Sequence, residues 1–71
     1  MEEILKELAI GNKSEARVNP FSGEVVELDP TEVAVHDFIK GCEMMGRYDD
    51  MQTALGWFAD KNIKAYMALL D

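Results

Sequence analysis

A small α+β fold, mostly helical with one short β-hairpin, is predicted by three features of this 71-residue sequence. The dipeptide Asp29-Pro30 and Glu32 form a helix-start signal ahead of a long apolar-periodic run. Two β-branched runs flank the turn-forming stretch Asn19-Pro20-Phe21-Ser22-Gly23. Elsewhere the apolar residues recur at helical rather than strand spacing. Three to four short helices packed around the hairpin, in a single globular domain over residues 1–71, is the expected architecture.

The elements follow in chain order. Residues 1–10 read as a short amphipathic helix with Ile4, Leu5 and Leu8 on one face, Glu2 and Glu3 at the dipole-favoured end, and a stop at Gly11-Asn12. At that length it must dock on the rest of the chain to persist. Arg17-Val18 and Glu24–Leu28 are the hairpin strands, with Asn19-Pro20 suited to open a turn and Gly23 to supply a positive φ; an extended loop is the alternative. The second helix starts with Asp29 as N-cap, Pro30 at N1 and Glu32 at N3, the capping-box arrangement, and stops at Gly46. Its buried stripe is expected to be Val35, Phe38, Ile39, Cys42 and Met45, with Glu32, Asp37, Lys40 and Glu43 facing water. A third helix begins in Arg47–Asp50, capped by Asp49 or Asp50, and turns Met51, Leu55 and Phe58 inward, with Ala54 and Trp57 as further candidates. It breaks at Asn62. The last helix, residues 63–70, is expected to bury Ile63, Tyr66, Met67 and Leu70.

A chain this short buries only about 60% of its unfolded surface, so burial is at a premium. The 48% hydrophobic content can attempt it, but the single cysteine, Cys42, can form no internal disulfide. Self-association is therefore one route to further burial. A lone cysteine fits a reducing compartment. No signal-peptide pattern opens the sequence and no apolar run approaches the ~20 residues of a membrane span. These features lead to the expectation of a soluble cytoplasmic protein. The formal charge of −7 argues against direct contact with nucleic acid or anionic membranes.

Catalytic and ligand chemistry find little support. The only histidine, His36, is expected at a surface or boundary position making local helix pairs with Glu32 or Lys40, four residues to either side. Cys42 is six positions away on another part of the helix, so a Cys–His dyad is not expected. One cysteine and one histidine cannot make a zinc site. Asp49-Asp50 lacks the alternating acids of a calcium loop. Gly41, Gly46 and Gly56 are scattered where a phosphate loop would need them clustered; close helix approach is the expected reason for Gly41 and Gly56. No catalytic residue, metal or cofactor is predicted.

Apolar residues that leave the predicted stripes point to contacts with other molecules. Met44, Tyr48 and Trp57 are the candidates for an exposed patch. Phe21 is the fourth. Turn chemistry explains its neighbours but does not require an aromatic, so it is expected either to fold inward as a core plug, the preferred reading, or to project as a contact residue.

The segments NPFSGEVVEL, VAVHDFIKGCEMM, YDDMQTALGWF and AYMALLD resemble a group of small uncharacterised proteins encoded by tailed bacteriophages, over residues 17–71 or about three-quarters of the chain. The resemblance implies phage origin and expression in the host bacterial cytoplasm, and carries no catalytic residues across. The expected function is that of a non-enzymatic accessory protein that binds and modulates a host or phage protein. The alternatives are an acidic mimic of nucleic acid, a self-assembling structural protein and a ligand-sequestering one. A homo-oligomer is compatible with each.

Overall fold

A computed structural model describes residues 1–70. The described residues form helices α1 (Glu2–Glu7), α2 (Pro30–Met45), α3 (Tyr48–Lys61) and α4 (Ile63–Leu69), with an antiparallel ribbon of β1 (Glu15–Val18) and β2 (Val25–Leu28) between α1 and α2. This is the small, mainly helical α+β fold expected from the sequence. Residues pair in the register Glu15–Leu28, Ala16–Glu27, Arg17–Val26 and Val18–Val25. Two strands alone are marginal in water, and here β2 lies against α4 and α2. Leu28, at the inner end of β2, is wholly buried.

The start of α2 follows its sequence signal closely. The Asp29 carboxylate accepts from the Glu32 N–H at 2.7 Å, and the Glu32 carboxylate accepts from the Asp29 N–H at 2.9 Å. That return bond folds Glu32 down onto the helix end, so it is only 8% exposed rather than facing water as expected. The helix ends at Gly46 with φ +73°, the left-handed conformation that glycine adopts without a Cβ clash. Its buried stripe runs through Val35, Ile39 and Cys42 but fails at Met45, which is 72% exposed. The stripe is lost because the chain reverses at Gly46 and α3 packs back along the earlier turns.

The core joins Leu28, Val33, Val35, Ile39, Ala54, Phe58 and Ala65, with Leu5, Leu8, Phe38, Met51, Leu55, Trp57 and Tyr66 partly buried around it. Phe58 is its largest fully buried side chain.

Four boundary or facing expectations are corrected. Helix α1 stops at Glu7, because Leu8 takes an extended conformation that keeps Leu5 and Leu8 on the core; Ala9 and Ile10 lie outside it. Neither Asp49 nor Asp50 caps α3. Only Arg47 separates the αL residue Gly46 from Tyr48, so both acids fall inside the first turn, where the dipole still favours them. In α4 the buried residues are Ala65 and Ala68, whereas Ile63 and Met67 are exposed; small side chains let this helix approach β2 and α3 closely. Gly41 and Gly56 are not close-approach sites, since an added Cβ would meet no atom within 4 Å at either.

Candidate interaction surface

The turn between β1 and β2 is built around Asn19. Its N–H donates to the Glu24 carbonyl (2.9 Å), and its own carbonyl accepts from Gly23 N–H (2.8 Å), with Gly23 at φ +75°. Its side-chain Oδ1 accepts from the N–H groups of Phe21 (2.8 Å) and Ser22 (3.2 Å). Its Nδ2 donates to the Ala68 carbonyl in α4 at 2.8 Å. One side chain therefore closes the loop locally and pins it to a helix 49 residues away.

Phe21 sits on that pinned loop and is 98% exposed, so the preferred expectation of a core plug is overturned. The bond from the Phe21 N–H to the Asn19 side chain holds its backbone in the turn, away from the core. The ring borders a groove of about 550 Å³. It is lined by the loop residues Asn19 and Pro20 and by side chains of α2, α3 and the C-terminal end of α4, Tyr48 and Leu69 among them. Among the described residues its charged lining residues are Lys40 and Glu43, which pair with each other at 3.9 Å. The groove therefore mixes apolar side chains with the polar groups of Asn19, Lys40, Glu43 and Tyr48.

The four candidate contact residues separate into two kinds. Tyr48, 60% exposed, lines the same groove as Phe21. Met44 is 88% exposed and follows Glu43 on α2, beside the groove rather than in it. Trp57 does not belong to the exposed patch. It is partly buried, edge-on to Phe58 with ring centroids 6.3 Å apart and planes at 68°, a packing role. Met45, Ile63 and Met67 have the helical period of buried residues but are exposed, because periodicity does not tell where a neighbouring helix ends.

His36 is not a boundary residue. It is 8% exposed, tilted against Phe58, and its Nδ1 has no hydrogen-bond partner among the described residues. Burial, then the Lys40 and Arg17 cations, hold its pKa below the ordinary 6.5, with Asp37 opposing. Cys42 is buried and free. Among the described residues no group of three His, Cys, Asp or Glu could hold a metal ion, and no helix is long and apolar enough to cross a membrane.

Arg17 ties the ribbon to α2 by reaching Glu15 and Asp37, each at 3.1 Å. On the other side of α2, Arg47 pairs with Asp50 and lies 5.9 Å from the Phe38 ring centroid. Both arrangements use the cations internally. No family model, curated protein or solved structure matches the chain.

Proposed function

We propose that this is a non-enzymatic accessory protein, phage-encoded and working in the cytoplasm of the bacterial host, which acts by binding a host or phage protein. The observation that carries the reading is the exposed apolar corner where α2 meets α3, formed by Met44, Met45 and Tyr48. Unbranched, polarisable methionines adapt to a partner's contours, and an aromatic beside them supplies a contact of large area. The phage origin rests on the resemblance of residues 17–71 to small phage proteins, and the reducing compartment is consistent with the free thiol of Cys42.

Contact through apolar side chains fits better than phosphate mimicry. Exposed acids occur on α1, both strands, α2 and α3 and are not gathered on a single element. A mimic would bind its basic partner less tightly as salt rises, whereas an apolar contact would hold. The direct test is affinity purification from bacterial cells at low and high salt, with the Met44→Glu/Met45→Glu double variant in parallel. A partner retained at high salt and lost from the variant is expected. Recovery of the bait alone, with no change in any host activity, would sink the reading.

A further inference from the structure

We propose that residues 1–13 form a strap that opens as a unit while the rest of the fold stays closed, uncovering the Phe38 side of α2. Opening adds that face to the neighbouring methionine corner, so the strap governs how much apolar surface the protein presents. This conformational device goes beyond the binding role proposed above and holds whatever the partner is.

The first observation is how α1 is built. It has six residues and no side-chain cap at Met1, and a helix shorter than ~12 residues is marginal in water by itself. It therefore persists only while docked. None of its residues is fully buried, and the segment docks through Met1, Leu5 and Leu8, each only partly buried against the core.

The second is what holds the segment in place. Among the described residues, every hydrogen bond of residues 1–13 stays within that segment, as from the Leu5 N–H to the Met1 carbonyl and from the Ile10 N–H to the Leu8 carbonyl. Among the same residues no ion pair joins it to the rest. From Glu15 onward the attachment changes in kind, since β1 is laddered to β2 and Arg17 bonds to Asp37 of α2. Opening of the strap thus separates a few apolar contacts and no inter-element hydrogen bond, the conditions for a unit of low local stability.

The third is the hinge and the charge. Residues 9–14 are exposed and lie outside any helix or strand, so α1 moves without disturbing β1. Residues 2–7 hold three glutamates against one lysine, a net −2, and the rest of the chain carries −5 of the total −7. The two parts repel each other. Glu3 and Glu7 line a groove of about 390 Å³ with Phe38, Arg47 and Asp50. Arg47, the one cation in that lining, is already paired with Asp50. Apolar contact alone holds the strap against this repulsion. The surface it uncovers is continuous with the corner, because Arg47, 5.9 Å from the Phe38 ring centroid, lies in the chain between Met45 and Tyr48.

The test is amide hydrogen exchange, resolved by residue with NMR on the full chain, with Leu5→Ser in parallel. In wild type the amides of Leu5, Lys6, Glu7 and Leu8 are expected to be at least about a hundredfold less protected than the central amides of α2, and nearly insensitive to low urea, because local opening exposes little surface. Salt at about 0.5 M should raise their protection severalfold by screening the repulsion. Leu5→Ser should abolish protection in α1 and raise the emission of the neutral dye Nile red severalfold, while α2 and α3 keep their protection within about tenfold. Adding Phe38→Ser to that variant should return the emission towards wild type. Equal protection of α1 and α2, faster α1 exchange in salt, collapse of α2 and α3 in Leu5→Ser, or dye emission indifferent to Phe38 would each overturn the proposal.

Discussion

His36 on α2 stands with its ring centroid 6.4 Å from that of Phe58 on α3, buried, with Nδ1 unpartnered among the described residues. Its place in the contact between the two longest helices couples helix packing to a titratable group. Burial and the Lys40 and Arg17 cations disfavour the charged ring. In the unfolded chain the ring regains its ordinary pKa of 6.5. Below that pH the unfolded state binds a proton that the folded state resists, so stability is full above pH 6.5 and falls as pH drops below it. Urea unfolding followed from about pH 7.5 to 5.5 should show that loss. His36→Leu should abolish it and raise neutral-pH stability by about 1 kcal/mol, because a buried polar atom without a partner is removed.

Phe21 and Phe58 are chemically identical and opposite in role. Phe58 is fully buried at the centre of the core, and Phe58→Ala should cost about 3–5 kcal/mol of unfolding free energy. Phe21 is almost fully exposed, and Phe21→Ala should change the stability of the dilute protein by less than about 0.5 kcal/mol. Thermal and urea melts on the two variants measure the contrast. A large loss at Phe21 would return that ring to the core.

The glycines divide in the same way. Gly41 and Gly56 lie inside helices with open space where a Cβ would go, so each change to Ala should stabilise the protein by about 1 kcal/mol through helix propensity. Gly46 holds φ +73°, and Gly46→Ala should cost about 1 kcal/mol because an L side chain clashes there. Midpoint shifts in denaturant of opposite sign, at an unchanged slope, are the expected readout.

Asn19 is predicted to be the most sensitive residue of the turn. Asn19→Ala removes two local bonds and the bond to the Ala68 carbonyl, a loss of roughly 2 kcal/mol. Hydrogen exchange should quicken at the Phe21 and Ser22 amides. Among the described residues neighbouring Pro20 and Ser22 make no such long-range bond, and their replacement by Ala should leave the attachment to α4 intact. If exchange at those amides is unchanged in Asn19→Ala, the loop is held by something other than this side chain.

The local chemistry of the chain was readable without the fold wherever a residue's partner lies within four or five positions. Asp29-Pro30 with Glu32 specified the start of α2, Gly46 its end, and Asn19 with Gly23 the hairpin, because capping bonds and positive φ are settled by neighbours in sequence. Facing was another matter. Met45, Ile63 and Met67 have the right period to be buried and are exposed, whereas His36 and Glu32 look polar and are buried. A period says which residues share a helix face, but not how far a second helix extends over that face. That length depends on Gly46 turning α3 back along α2 and on Ala65 and Ala68 admitting α4 against β2. Phe21 shows the same division: the sequence by itself determined that it sits in a turn. Only the tertiary structure decided that it is exposed to solvent beside a groove between α2, α3 and α4, because the bond from Asn19 to α4, across 49 residues, positions the loop that carries it.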